Sequence, residues 1–253
     1  MLVDSLSFNV LVVALCTIQS LLGIGILVIG TPVLLILNYQ IIEIMLLLLP
    51  ISIMTSIINI LILKNRQLRN FNNEEKKISI NFFLICFPSI MIGLFFLKLV
   101  NTYINFDILV SLIILISLYL KNNKQYLLIN IKVQKFFISL IGIVHGLTNS
   151  GGTLMSILIL NKNTGKEKKS INQIHLFYLL LAGTQYLILL IMIKNTNEVN
   201  FENFSKFFLL VIVSSVIGKL INKKIGNNFV SKLIDFLAIF SCLALIIKFF
   251  FDY

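Results

Sequence analysis

Long apolar runs separated by short charged loops are the feature of this sequence that most restricts its fold. Several runs exceed 18 residues, and a run of that length with few charges is typical of a helix that crosses a membrane. Of the 253 residues, 58% are hydrophobic and 12% are charged, whereas soluble domains have about 25% charged residues. The mean hydropathy is +1.00. The sequence therefore predicts an all-α, multi-pass protein of the lipid bilayer, which we expect in the plasma membrane.

The apolar runs divide the chain into eight membrane elements in two halves. The elements are residues 6–37, 41–63, 78–97, 106–120, 136–160, 173–193, 204–221 and 230–250. A basic loop after the fourth element separates the halves. We therefore predict a first transmembrane repeat at residues 1–128 and a second at residues 129–253, within one integral membrane domain.

The fifth element is interrupted at its centre by Asn149-Ser150-Gly151-Gly152. Each glycine weakens a helix by about 1 kcal/mol, and irregular backbone at bilayer depth is tolerated only where it packs in protein or lines a water-filled cavity. A fainter interruption lies in the first element, from Gly23 to Pro32. Two such segments at corresponding places in two halves indicate the substrate site of a secondary transporter.

A helix that begins inside the membrane offers a direct way to bind an anion. Its first backbone N–H groups have no partners within the helix, and they lie at the positive end of the helix dipole. Glycine also lets a ligand approach the backbone closely. We predict that Ser150, Gly151, Gly152 and Thr153 begin one such helix, and that Gly30, Thr31 and Pro32, after Gly23 and Gly25, begin the other. The alternative is that these glycines only permit close helix packing.

A few other polar residues lie in the apolar elements. His145 precedes the second interruption and could bind the anion or carry a coupled proton, because histidine titrates near neutral pH; a neutral histidine bonded to a carbonyl is the alternative. Gln185 could face the site or make an interhelical hydrogen bond. His175, at the start of element six, is expected at the membrane interface.

The basic residues favour one arrangement of the two interrupted elements. If elements one and five are re-entrant hairpins, four basic clusters all face the cytoplasm, as the positive-inside bias requires; if every element crosses the membrane, two of the four face outward. The clusters hold 16 of the 21 Lys and Arg residues: Lys64, Arg66, Arg69, Lys76 and Lys77; Lys121, Lys124, Lys132 and Lys135; Lys162, Lys166, Lys168 and Lys169; and Lys219, Lys223 and Lys224. We therefore favour hairpins, which give the two halves opposite orientations, while the fully spanning arrangement stays open.

Several classes of partner and chemistry are not expected. The net charge of +11 does not indicate nucleic-acid binding, because the basic residues lie in short loops between apolar elements. Cys16, Cys86 and Cys242 each lie alone in an apolar element, without the spacing of metal ligands. We expect no metal, no cofactor, no catalytic residue and no cleaved signal peptide. A homo-oligomer is left open.

At its two interruptions the chain resembles the TauE/SafE family of membrane anion transporters, also called the sulfite exporter family. The residues that carry this resemblance are His145-Gly146-Leu147-Thr148-Asn149-Ser150-Gly151-Gly152 in the second half, and Gly23-Ile24-Gly25 leading to Gly30-Thr31-Pro32 in the first. The resemblance covers essentially the whole chain. It implies two related halves, each opened by a glycine-rich broken segment, and small organosulfur, sulfite-like or carboxylate anions as substrates.

These observations lead to a secondary transporter that moves small anions by alternating access. One alternative is a membrane subunit or assembly factor without transport. Another is an intramembrane enzyme with Ser150 or Cys86 as the nucleophile and His145 as the base. The enzyme is disfavoured because the sequence has no Gly-x-Ser-x-Gly motif and no carboxylate placed to orient the histidine.

Overall fold

Ten α-helices form the part of the chain that the computed structural model describes, which is residues 6–23, 25–62, 73–100, 103–122, 131–162, 167–192, 202–224 and 227–252. No strand occurs among those residues. The helices are α1 (Leu6–Leu22), α2 (Ile26–Ile36), α3 (Ile41–Ile62), α4 (Asn73–Val100), α5 (Phe106–Asn122), α6 (Ile131–Thr148), α7 (Gly152–Lys162), α8 (Glu167–Met192), α9 (Glu202–Lys224) and α10 (Asn227–Asp252). The predicted all-α class is confirmed.

The apolar character of these helices fits a bilayer. Within the described ranges, three segments are long and apolar enough to cross a membrane: Ile41–Leu61, Ile80–Val100 and Gln173–Met192. Shorter apolar stretches lie on α1, α2, α5, α6, α9 and α10. The fold is that of an integral membrane protein.

Ten helices replace the eight predicted elements because each interrupted element is two helices. Several helices also extend beyond their apolar runs, such as α6, which begins at Ile131 rather than Phe136. The proposed boundary between residues 128 and 129 lies outside the described residues, as do parts of the basic clusters at 63–72, 123–130 and 163–166.

The first interruption folds the chain back on itself. A Cβ placed on Gly25 would lie 2.9 Å from the Gln19 nitrogen, and one placed on Gly30 would lie 3.0 Å from Leu15 Cδ1. Residues further along α2 thus lie beside residues further back along α1. The two helices therefore run in opposite directions and form a hairpin.

Several helix bounds recur at a spacing of 126 residues. The starts of α2 and α7 are 126 residues apart, as are the starts of α3 and α8 and the ends of α1 and α6. The most extensive packing is matched in the same way, since α4 packs on α6 as α9 packs on α1, and α3 contacts α9 as α8 contacts α4. When each helix is exchanged for its equivalent, the α3–α8 pair gives the same pair again, and so does the α5–α10 pair.

Two of these helix pairs are parallel. Along α4 and α6, Cys86 Sγ lies 3.4 Å from the Ile138 carbonyl oxygen, and the later Gly93 packs against Gly146. Along α1 and α9, the Phe8 and Phe207 rings lie 5.9 Å apart, and the later Ser20 hydroxyl lies 3.3 Å from that of Ser215.

The α5–α10 pair is antiparallel, and an ion pair marks one of its ends. Lys248 Nζ, late in α10, lies 3.2 Å from Asp107 Oδ2 at the start of α5. The Cys242 thiol, earlier in α10, donates to the carbonyl oxygen of Ser111, later in α5, at 3.5 Å. Lys248 also donates to the Leu35 carbonyl oxygen at 2.7 Å. It thereby binds the C-terminal end of α2 to both helices.

Candidate functional site

The second interruption is a tight turn between α6 and α7. Asn149 has a φ of 63°, a left-handed conformation that asparagine tolerates better than most residues, and its amide donates to the His145 carbonyl oxygen at 2.8 Å. The Ser150 amide donates to Thr148 Oγ1 at 3.3 Å. Helix α7 then begins at Gly152, close to the predicted position. Within the described chain, the amides of Gly151 and Gly152 donate to no other group.

Both glycines of this turn are needed for close contacts. A Cβ on Gly151 would lie 2.6 Å from His145 Cβ and 2.6 Å from the Ile141 carbonyl oxygen. A Cβ on Gly152 would overlap the hydroxyl group of Tyr178 on α8. The start of α7 therefore lies between His145 on one side and Tyr178 on the other.

Buried polar atoms without partners gather around this turn. His145, Asn149, Tyr178 and Gln185 are fully buried. Both ring nitrogens of His145, Asn149 Oδ1, the Tyr178 hydroxyl and Gln185 Oε1 lack a hydrogen-bond partner within the described residues. Gln185 belongs to the same place because its Nε2 donates to the His145 carbonyl oxygen at 3.1 Å. Buried polar groups are normally paired, so this concentration indicates a place for a ligand or water.

The second interruption meets helix α2 at one hydrogen bond. Asn149 Nδ2 donates to Thr31 Oγ1 at 3.2 Å, and both residues are fully buried. Thr31 belongs to the first predicted signature and Asn149 to the second. Residues that are 118 positions apart in the sequence therefore lie side by side.

The first interruption lies earlier than predicted. Gly23 takes a left-handed φ of 77°, and α2 begins at Ile26, so Gly30, Thr31 and Pro32 lie inside α2 rather than at its start. The prediction that they begin a helix is wrong, because the helix is already interrupted at Gly23 and Gly25. Gly30 instead permits close packing, since a Cβ there would lie 2.9 Å from Leu48 Cδ1.

A second buried polar cluster lies beside the first interruption, and its groups are paired. Gln19 Nε2 donates to the Ser52 carbonyl oxygen and to Ser56 Oγ, both at 3.1 Å, while Gln19 Oε1 accepts from Ser52 Oγ at 3.2 Å. Asn59 Nδ2 donates to Ser20 Oγ at 2.9 Å and to the Thr55 carbonyl oxygen at 2.8 Å. These bonds hold α1 against α3.

The other described residues named from the sequence do not contribute unpartnered side-chain atoms to the cluster around His145. Thr153 Oγ1 lies 2.9 Å from Ser117 Oγ on α5. His175 is buried within the protein rather than set at an exposed interface. The Ser150 hydroxyl donates to the Thr148 carbonyl oxygen at 3.2 Å, and neither Ser150 nor Cys86 bonds the His145 ring. No group of three or more His, Cys, Asp or Glu residues that could hold a metal occurs in the described ranges.

Tyr178 is the residue at this site that the sequence interpretation missed. It lies in the apolar run from Ile174 to Leu190, where an aromatic residue is usually part of the core. A usable signal was its spacing from Gln185. Seven residues make two helical turns, which place both side chains on one face of α8.

A protein-family model described as "Sulfite exporter TauE/SafE" matches residues 8–245 of the chain. The match includes both interruptions and all or most of every helix. No curated protein and no solved structure matches the chain.

Proposed function

Since this chain belongs to the sulfite exporter TauE/SafE family, we propose that it moves a small sulfur oxyanion or carboxylate across the plasma membrane by alternating access. Membership of the family implies an integral membrane transporter of sulfite-like anions. The binding site is formed by His145, Asn149–Thr153 and Gln185, together with Thr31, Gly23 and Gly25.

The observation that carries this proposal is the set of unpartnered polar atoms at the start of α7. The free amides of Gly151 and Gly152 lie at the positive end of a helix dipole, which attracts an anion without a formal positive charge. The buried ring of His145 and the hydroxyl of Tyr178 add hydrogen-bond donors on either side. A membrane subunit or assembly factor without a ligand has no need for such groups, whereas a bound anion pairs them.

Alternating access is commonly built on two halves of opposite orientation, and the helix directions support that arrangement here. Helix α9 is parallel to α1, α6 is parallel to α4, and α5 is antiparallel to α10. The links of five residues between α4 and α5 and of two between α9 and α10 are too short to cross a bilayer of about 30 Å. Each of these two pairs therefore reverses direction. It follows that α6 runs opposite to α1, and we assign the chain an inverted repeat divided near residue 128.

The hairpin at the first interruption supports the same topology. With α1–α2 and α6–α7 as re-entrant hairpins, the four basic clusters face the cytoplasm and both termini face outward. The two interruptions then enter the membrane from opposite sides. The hydrogen bond between Asn149 of the second interruption and Thr31 of α2 joins the two hairpins, which supports alternating access around one central site.

Counterflow in proteoliposomes tests the transport function. Vesicles that contain the purified protein and unlabelled sulfite should accumulate external radiolabelled sulfite faster than protein-free vesicles of the same lipids. Vesicles loaded with sulfoacetate, thiosulfate or acetate, each assayed with the same anion radiolabelled outside, rank the substrates. An uptake rate equal to that of protein-free vesicles for all four anions, or a preference for sodium over anions, contradicts the proposal.

A further inference from the structure

The two halves differ at the positions where their symmetry predicts equivalent half-sites. At the spacing of 126 residues that separates the starts of α2 and α7 and the starts of α3 and α8, Gln19 corresponds to His145, Ser52 to Tyr178 and Asn59 to Gln185. All six residues are buried. Each of the three polar residues in the first half therefore has a buried polar counterpart in the second half.

In the first half these groups satisfy one another. Both polar atoms of the Gln19 side chain, Nε2 and Oε1, are hydrogen-bonded to Ser52 or Ser56. Asn59 donates to Ser20 and Thr55. A ligand would have to break existing bonds to bind there. The polar groups of this cluster are already hydrogen-bonded to one another.

In the second half the corresponding groups lack partners. The ring nitrogens of His145, the hydroxyl of Tyr178 and Gln185 Oε1 have none within the described part of the chain. An unpaired buried polar group costs free energy. Here four such atoms belong to His145 and Tyr178, which contact the start of α7, and to Gln185, which bonds the His145 carbonyl oxygen. The Tyr178 hydroxyl lies directly against Gly152, whose amide is one of the free donors.

Resting on the proposed function, we infer that the second half alone holds the charged group of the anion, with the Tyr178 hydroxyl as a direct donor to it. The His145 ring and the amides of Gly151 and Gly152 complete a set of donors suited to an oxyanion. Gln185 Oε1 can only accept, and water entering with the anion satisfies it. The first half contributes Thr31, which accepts a hydrogen bond from Asn149. Its Gln19–Ser52–Asn59 cluster holds α1 against α3.

Ligand-linked thermal stabilisation of the detergent-purified protein tests this inference. Wild type, Tyr178→Phe and the symmetry-matched control Ser52→Ala are each titrated with sulfite and sulfoacetate. Tyr178→Phe should raise the Kd roughly tenfold, because a hydrogen bond to a charged group is lost. Without anion it should melt at or above the wild-type temperature, because it removes a hydroxyl that has no partner. Ser52→Ala should melt lower than wild type but keep its Kd.

The outcomes separate this inference from the proposed function. No stabilisation of the wild type by either anion, together with no counterflow, overturns the proposed function and the inference with it. Stabilisation of the wild type with an unchanged Kd in Tyr178→Phe overturns only the inference. So does an equal loss of affinity in Ser52→Ala. A Tyr178→Phe protein that does not fold would show that the hydroxyl has a structural partner, which also overturns it.

Discussion

At the scale of single residues, Gly152 is the position where one added carbon atom changes the site most. Its backbone starts α7, and a Cβ there would overlap the Tyr178 hydroxyl. Overpacking of this kind costs about 1–3 kcal/mol, and displacing Tyr178 also moves a proposed donor. We expect Gly152→Ala to lower sulfite counterflow by roughly 100-fold, the effect of a misplacement of about 1 Å.

The matched control is Gly183→Ala on α8. No heavy atom lies within 4 Å of a Cβ at Gly183, and alanine is the better helix former by up to about 1 kcal/mol. Its counterflow should equal that of the wild type, and its melting temperature should be equal or higher. Wild-type counterflow in Gly152→Ala would mean that the start of α7 does not touch the transported anion.

The residues of the second interruption could be found from the sequence because glycine and polar residues stand out in an apolar run. Asn149 and Gly152 bound a break that the helix limits reproduce. Tyr178 could not be found in the same way, because its role depends on which helix faces Gly152. The first break was misplaced because Pro32 suggests a first helical turn, although the backbone had already turned at Gly23.

At the scale of helices, glycine has a second role, which is close packing of α6 on α4. Gly142 and Gly146 are four residues apart on one face of α6, and small residues at this spacing let membrane helices approach closely. A Cβ on Gly146 would lie 2.5 Å from the Ile90 carbonyl oxygen, and one on Gly142 would lie 2.6 Å from Ser89 Cβ. At these two positions glycine therefore permits close packing of α6 on α4.

We therefore expect Gly146→Leu to separate α6 from α4 and to destabilise the protein by about 3 kcal/mol or more. The measurement is the melting temperature, together with the monodisperse fraction after size-exclusion chromatography. Phe136→Leu, on an exposed part of the same helix, should leave both values unchanged. A Gly146→Leu protein as stable as the wild type would contradict the packing described for this pair.

The ends of the helices were harder to predict than their apolar centres. Helix α8 begins at Glu167 and α4 at Asn73, several residues before their apolar runs. Hydrogen bonding in a helix does not stop where the hydrocarbon ends, and Lys and Glu are good helix formers. An apolar run therefore locates a membrane helix but not its termini.

At the scale of the whole molecule, the two arrangements of the interrupted elements differ in where residue 163 lies. With re-entrant hairpins, the segment between α7 and α8 faces the cytoplasm. If α6 and α7 together crossed the membrane, the same segment would face outward. Tyr103, an exposed residue between α4 and α5, faces outward in both arrangements and therefore serves as the control.

The test uses a variant in which the three buried cysteines Cys16, Cys86 and Cys242 are replaced by alanine. Single cysteines are introduced as Asn163→Cys or Tyr103→Cys, and cells are treated with a membrane-impermeant maleimide before and after permeabilisation. We expect Tyr103→Cys to be labelled on intact cells and Asn163→Cys only after permeabilisation. Labelling of both on intact cells would contradict the hairpins, and it would place the basic residues Lys162 to Lys169 outside, against the positive-inside bias. The proposed inverted repeat would then lose its support from charge, and α5 and α10 would have to run parallel, against their antiparallel arrangement in the structure.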